Sequence, residues 1–361
     1  MTLEFRPLGR AHAASMQAIN RACPIEADFT FFFDREPDFF RWPEAVFDAF
    51  IYVGGFRGER LVGYTLFASV AGNAGALGQC FGCVADARVL PEERGHGFTQ
   101  LATNALLESV RPEAVTFLLM KRGNESARIA LGRTSVPTLA IGSLCRFDAA
   151  TLLLLRRVGC RGRFQVRKAH LGDVPRLAAL LERAYDGRLF APIVTPDELE
   201  QDARRLPGFG LDSYRLAFSG DELVGAVGAW DEGLVRRASV LRLSRRGRML
   251  RAAYEAARVV YRDAAPLPRA GECFRAITTT RVAIPSGDPE VLHELLATLH
   301  HEYLGTHHMI VVGFAGEDPL ASSLGGMLAH HVVSDIVVIA RPPDLEVTLR
   351  ERRPYLDLRF V

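Results

Sequence analysis

An internal repeat constrains this chain more than any other feature of its sequence. Phe56-Arg57-Gly58-Glu59-Arg60-Leu61-Val62-Gly63 recurs as Phe218-Ser219-Gly220-Asp221-Glu222-Leu223-Val224-Gly225 at an offset of 162. Leu3-Glu4-Phe5-Arg6 recurs as Phe164-Gln165-Val166-Arg167 at an offset of 161. Two matches at nearly one offset point to a duplicated unit. The 361 residues leave room for two such units, each with a core of its own. A boundary near 159–163 divides the chain into 1–160 and 161–361.

Both copies follow one pattern of elements. A short strand opens each, and an amphipathic helix follows. In the second copy that helix covers 174–185, with Leu177, Leu180 and Leu181 at helical spacing and Asp173 as the expected N-cap. A hairpin comes next, 50–56 into 61–70 in the first copy and 214–218 into 223–230 in the second. Gly58 and Gly220 supply the positive φ of a tight turn. A strand, a helix and a further strand then follow. These cover 81–90, 98–109 and 115–120 in the first copy, and 276–283, 288–303 and 309–314 in the second, where Asp288 caps, Pro289 takes N1 and Gly305 ends the helix. The expected class is mixed α/β (α+β): two tandem units, each a mixed, mostly antiparallel sheet flanked by helices.

The segment from Val84 to Thr99 carries the chemistry. A strand runs into Leu90, the turn Pro91-Glu92-Glu93-Arg94-Gly95-His96-Gly97 follows, and a helix opens at Phe98. The first N–H groups of a helix have no internal partner and lie at the positive end of its dipole. Gly95 and Gly97 let backbone approach an anion, and Arg94 adds charge, so a pyrophosphate suits the turn. An ordinary strand–turn–helix connection would use the same glycines for geometry alone. A P-loop would need Lys-Ser/Thr after the glycines, and a dinucleotide fingerprint a third Gly in the first strand–helix unit; neither is present.

The run Arg88-Val89-Leu90-Pro91-Glu92-Glu93-Arg94-Gly95-His96-Gly97 closely resembles motif A of the GNAT superfamily of acyl-CoA-dependent N-acetyltransferases, and the order of elements is similar over residues 3–150. The resemblance implies that Arg94, Gly95, His96, Gly97, Phe98 and Thr99 wrap the pyrophosphate of acetyl-CoA or another acyl-CoA. Thr99 stands where the family has Gly or Ala. Arg88, Val89 and Leu90 would hydrogen-bond pantetheine through their backbone and polarise the thioester carbonyl. Asn124 and Ala127 match the family's Asn-x-x-Ala beside pantetheine.

The implied reaction is direct attack of a neutral amine on the thioester, which needs a base and is helped by an acid at the leaving thiolate. The family's tyrosine acid falls on Leu131, which donates no proton, in a short helix 124–131. The face carrying the family's base holds Phe81, Cys83 and Ala85. Asp86 is the carboxylate of this strand. Alternation points it to the other face, so it reads either as the catalytic base or as a buried carboxylate tied to a neighbouring helix. The aromatics Phe29, Phe31, Phe32, Phe33, Phe39, Phe40, Trp42 and Phe47 suit core packing or an apolar pocket for a bulky acceptor or longer acyl chain. Asp34, Glu36 and Asp38 beside them could hold an amine.

The second copy departs at the turn. Arg is missing, Pro289 removes a donor, and Asp288 and Glu290 put negative charge where a pyrophosphate would sit. A degenerate copy that binds no CoA is expected. An insertion over 231–270 carries Arg236, Arg237, Arg242, Arg245, Arg246, Arg248 and Arg251; such a run is usually a solvated face, and otherwise a docking surface for an acidic partner, such as an acyl carrier protein, or for an anionic membrane. His293, His300, His301, His307, His308, His330 and His331 do not form a zinc spacing, and Cys80-x-x-Cys83 lacks a second pair, so no metal is expected.

A net charge of +2 gives no sign of nucleic acid or a membrane surface as partner. Of 44 basic residues only Lys121 and Lys168 are lysine, which reads as the codon bias of a GC-rich bacterial genome. Without a signal pattern, a spanning apolar run or a disulfide framework, a cytoplasmic enzyme is expected. The reading is an N-acyltransferase, most simply acetyl-CoA-dependent, acting on a small-molecule amine in the first domain. Alternatives are a non-catalytic acyl-CoA sensor and an enzyme that docks an acyl carrier protein. Fused copies make a monomer plausible.

Overall fold

The computed structural model describes residues 3–95, 98, 115–132, 139–350 and 354–361. The strands of the first half are β1 (Leu3–Leu8), β2 (Phe29–Asp34), β3 (Ala49–Arg57), β4 (Arg60–Ala71), β5 (Cys80–Val89), β6 (Val115–Lys121) and β7 (Ala140–Leu153). Those of the second are β8 (Gln165–Lys168), β9 (Tyr214–Ser219), β10 (Glu222–Asp231), β11 (Arg237–Leu243), β12 (Cys273–Phe274), β13 (Ala276–Ala283), β14 (Met309–Ala315) and β15 (Ala329–Ala340). The helices are α1 (Ala13–Ala22), α2 (Arg41–Val46), α3 (Glu125–Gly132), α4 (Val174–Tyr185), α5 (Pro196–Arg205), α6 (Arg245–Arg258), α7 (Pro289–Tyr303) and α8 (Pro342–Leu349).

Twelve strands form one sheet in the order β1-β3-β4-β5-β6-β15-β7-β14-β13-β10-β9-β8. Read from both ends, the order is the same series of equivalent strands, except that the halves have exchanged their last members. β15 pairs with β6 of the first half, and β7 pairs with β14 of the second. β15 and β7 then pair with each other from Ala329↔Leu152 to Ala340↔Ala140, which makes the sheet continuous. The mixed, mostly antiparallel sheet flanked by helices is the expected class.

The repeated hairpins turn where the sequence places them, at Gly58 (φ 61°) and Gly220 (φ 58°). A second repeated glycine has a packing cause. A Cβ on Gly63 would lie 2.7 Å from the ring of Phe98, and one on Gly225 would lie 2.4 Å from Val291. In each copy a side chain that follows the motif strand, Phe98 or Val291, seats on the third strand from the sheet edge, and glycine makes the space.

The same equivalence governs two β-bulges. Tyr64 faces Arg88 and Leu66 faces Ala85, so Thr65 opposes two residues; Ala226 faces Ala283 and Gly228 faces Thr280, so Val227 does the same. The inserted residues, Asp86 (φ 52°) and Arg281 (φ 51°), are two of the non-glycine residues with positive φ. Beyond the bulges the parallel pairs diverge. β5 meets β6 only from Gly82 to Val84, and β13 meets β14 only from Ala276 to Thr278. Each half therefore opens a V-shaped cleft past its bulge.

Helix α7 starts as expected: Asp288 Oδ1 accepts from Glu290 N at 2.9 Å, with Pro289 at N1. Helix α4 does not. Asp173 makes no cap bond; its carboxylate takes both Arg167 Nη atoms at 2.6 and 2.7 Å and His170 N at 3.0 Å. The local sequence offered two competing donors, and the charged one wins. The bonds from Arg167 hold the Asp173 carboxyl down at about 2. Because the folded value is depressed, the stabilisation is present above the unfolded value near 3.9 and is lost as pH falls through 2. Asp173→Asn is expected to lower stability by about 1–3 kcal/mol at pH 7. In urea titrations the gap from the parent should close between pH 4 and 2.

Candidate functional site

The first cleft opens into a cavity of about 1640 Å³. Its walls come from both halves: the bulged part of β5, β6 and α3 on one side, and β7, β14 and β15 on the other. The small sheet β12-β11-β2 and the segment Leu358–Val361 complete it. This exceeds the roughly 300–1,000 Å³ of an ordinary ligand pocket.

The second cleft is filled by the chain itself. Asp357 Oδ2 accepts from Arg281 N at 3.0 Å and from Thr280 Oγ1 at 2.8 Å, and Tyr355 Oη takes Val282 N at 3.2 Å. The segment 354–361 thus satisfies the strand donors freed by the second bulge. Phe360 passes on into the core, stacked on Phe47 at 5.9 Å, and Val361 reaches the wall of the first cavity. At the second turn Glu290 is ion-paired with Arg161 and Arg163, which uses up the charge that would repel an anion and engages both arginines.

Of the residues singled out from the sequence, Asp86, Arg88, Val89, Phe98, Asn124 and Ala127 line the first cavity. Leu90 does not; it is buried, and its N–H donates to Val62 O at 3.0 Å. Arg94 is exposed, has no carboxylate within ion-pair distance among the described residues, donates to Val89 O at 3.3 Å and lies in hydrogen-bonding contact with the Cys23 thiol. Gly95 has φ 83° and open space where a Cβ would stand. The turn's own acids are neutralised by the hairpin: Glu92 by Arg60 and Glu93 by Arg57, each at 2.7 Å. Arg94 is thus left as the cation of this turn. His96, Gly97 and Thr99, with the rest of the expected helix 98–109 apart from Phe98, lie outside the described residues. Asn124 Oδ1 accepts from the backbone N–H of Ala127 at 3.2 Å, which accounts for an Asn at the start of α3.

Asp86 is tied to a loop arginine rather than to a helix. Arg35 Nη1 donates to Asp86 Oδ2 at 2.6 Å and Tyr52 Oη donates to the same oxygen at 3.1 Å. Arg35 packs on Phe39 and Trp42, with its guanidinium 4.8 and 4.6 Å from the rings. Burial pulls the Arg35 pKa down, but the charge and hydrogen bond of Asp86 together with Tyr52 and Tyr64 outweigh it and the net shift is upward. Strict alternation put Asp86 on the wrong face because the bulge inserts it as an extra residue. Leu131 lines the cavity, so no tyrosine stands at the position the sequence tested. Cys83 is also a wall residue, and burial pushes its thiol well above the ordinary range.

His330 was missed as a site residue. It lies on β15 with Val332 and Ser334 on the cavity face, is exposed, and is the imidazole on the cavity wall among the described residues. Its neighbourhood follows from the strand exchange, which no local pattern announces. Of the aromatic stretch, Phe29, Phe31 and Phe33 of β2 line the cavity, Phe32, Phe39, Phe40 and Phe47 are buried in the core, and Trp42 is both buried and part of the cavity wall. Asp34, Glu36 and Asp38 do not line it. Asp34 binds Gln17 and Arg237 at 2.7 and 3.1 Å, and Asp38 binds Arg10 at 2.8 Å.

The arginine-rich insertion is only partly a solvated face. β11 pairs with β2 from Arg237↔Asp34 to Leu243↔Phe29. Arg237, Arg242 and Arg246 meet Asp34, Glu26 and Asp28 at 3.1, 2.6 and 3.4 Å. Arg236 is buried, paired with Glu232 and laid over Trp42 at 4.5 Å. Carboxylates at and just before β2 therefore meet arginines of the inserted segment along this pairing.

No protein-family model and no curated protein matches the chain. Among solved structures it is similar to a GCN5-related N-acetyltransferase from Sphaerobacter thermophilus, with 12% identity, 99% of this chain and 98% of that one covered, and a TM-score of 0.54. It is also similar to Saccharomyces cerevisiae N-myristoyltransferase with bound myristoyl-CoA, with 10% identity, 93% and 82% covered, and a TM-score of 0.58. At these identities the likeness is one of fold.

Proposed function

We propose that this chain, which has the fold of the GCN5-related N-acetyltransferases, is an acyl-CoA-dependent N-acyltransferase whose chemistry takes place in the cavity of its first half. The observation that carries the reading is the turn at Arg94 and Gly95: a cation with no carboxylate partner among the described residues, a glycine with open space, and neighbouring acids already neutralised, at the head of the cleft where β5 leaves β6. A diphosphate fits that chemistry. Its thioester would lie along Asp86–Val89, where the cleft leaves strand backbone without a sheet partner on the β6 side.

In this reading the amine nitrogen of a small-molecule acceptor attacks the thioester carbonyl, the C–S bond breaks, and the proton released by the nitrogen passes to a base. His330 is the proposed acceptor of that proton, because Asp86 is engaged by Arg35 and Tyr52. Asp86 then acts as a positioning residue that pins the bulge. The proposed division is 1–160 for the unit that holds the cosubstrate and 161–361 for a degenerate copy, whose cleft is filled by 354–361. The missing tyrosine at Leu131 favours one alternative, an acyl-CoA sensor without turnover.

The test is release of free thiol from acetyl-CoA and longer acyl-CoA thioesters over a panel of amines, alongside calorimetric CoA binding. Arg94→Glu is expected to weaken CoA binding roughly 100-fold, since it removes one charge-assisted contact and adds a repulsion. CoA uptake with no thiol release from any amine would favour the sensor, and no CoA uptake by the parent would end both readings.

A further inference from the structure

The insertion that docks on β2 ends in a helix that the fold leaves half bare. One side of α6 is held firmly. Gly247 packs on the Asp28 carbonyl so closely that a Cβ would lie 2.1 Å from it. Tyr254 Oη donates to Leu154 O or Ala265 O, each at 3.1 Å, and Arg251 and Arg258 donate to the carbonyls of Leu267 and Ala264. The opposite side carries Met249, Ala252, Ala253, Ala256 and Val260 on one stripe at helical spacing, all exposed.

The exposures are large for apolar side chains: Met249 72%, Val259 70% and Val260 76%, followed by Tyr261 at 41%. Val259-Val260-Tyr261 is a consecutive protruding turn just past the helix. Arg245, Arg248 and Arg262 surround the stripe, and among the described residues none has a carboxylate within ion-pair distance. The acids nearby are spent, Glu255 on Arg258 and Asp263 on Arg157. Leu250 is exposed and also lines the cavity, so the cavity opens beside this helix.

We propose that this face rests on an anionic lipid surface. Met249, Val259 and Val260 enter the boundary between headgroups and acyl chains, Tyr261 sits at headgroup level, and Arg245, Arg248 and Arg262 meet lipid phosphates. A protruding apolar turn ringed by unpaired arginines suits a soft anionic interface, because the arginines neutralise headgroups while the turn buries its side chains between them. The mouth beside Leu250 then faces the bilayer, from which an amphiphilic substrate can reach the cavity without crossing water. The docking itself does not depend on acyl transfer.

The experiment is sedimentation of the full chain with vesicles of phosphatidylcholine alone and with about 30% phosphatidylserine, at low and high salt. Binding is expected only to the anionic vesicles, weakening as salt screens the arginines. Each arginine near such a surface contributes roughly fivefold, so Arg245→Glu with Arg248→Glu should lower partitioning at least ~25-fold. Met249→Asp with Val260→Asp should lower it comparably without altering the thermal midpoint, since both positions are exposed. Absence of binding to anionic vesicles overturns the proposal, including where an acidic carrier protein binds instead. Binding that survives the Met249 and Val260 changes also overturns it, because the apolar turn would then take no part.

Discussion

Arg35→Met is expected to destabilise the fold by about 3–5 kcal/mol, the usual cost of removing one member of a buried ion pair, with Arg88 at 3.9 Å left as the more distant cation beside Asp86. Both partners are almost wholly out of solvent, with side-chain exposures of 2% for Arg35 and 3% for Asp86. Methionine keeps much of the volume against Phe39 and Trp42, so the loss should be chiefly that of charge compensation at Asp86, plus the guanidinium's own ring contacts. The double variant Arg35→Met, Asp86→Asn should recover most of it, since no buried charge then lacks a partner. Urea midpoints of the parent, the two single variants and the double variant form a complete cycle. A cost below about 1 kcal/mol for Arg35→Met would mean that the pair is hydrated. Because Asp86 occupies the bulge, the same variant should also lower activity, and recovery of stability without activity would locate the defect in the shape of β5.

The second large effect is expected at Asp202→Ala. Asp202 on α5 takes Arg281 at 2.5 Å and Arg359 at 3.0 Å. Arg281 is the second copy's bulge residue, so the two bulges carry opposite charges, each balanced by a partner outside its own strand. Removing Asp202 leaves two buried guanidiniums, with Asp357, at 4.0 Å from Arg359, the remaining carboxylate within ion-pair distance among the described residues. A loss of about 4 kcal/mol or more is expected. Burial pushes the Asp202 carboxyl up, but Arg359 and Arg281 outweigh it and the net shift is downward. Its stabilisation is therefore present above an unfolded value near 3.9 and disappears as pH falls below it. The parent should lose this share of its stability in acid while Asp202→Ala has none to lose. Hydrogen exchange offers a local readout: the amides of Arg359 and Phe360, bonded to Asp357, should exchange faster once Arg359 loses its anchor.

Much of the sheet was legible from residue pattern. The hairpins at Gly58 and Gly220, the strand entering the Arg94 turn, and helix α7 with its Asp288 cap all arise from contacts within a few residues, which periodicity and turn chemistry encode. Five of the eleven residues matched to the motif show how far that goes: Arg88, Val89, Phe98, Asn124 and Ala127 line the cavity together with Asp86, whereas Leu90 turns into the core. Asp173 failed as a cap because Arg167, six residues earlier, competes for the same oxygens.

What the sequence determined by itself is the repeated unit and the hairpin turns at Gly58 and Gly220, because both rest on short-range geometry: a glycine at positive φ between two runs of strand residues. Tertiary structure alone decided that β7 and β15 trade places, that Asp86 leaves its strand's alternation, that His330 reaches the first cavity, and that 354–361 fills the second. Each of these depends on which sheet edge is free and which buried charge lacks a partner. Residues up to a few hundred positions apart settle that together, and no stretch of chain read alone contains the choice.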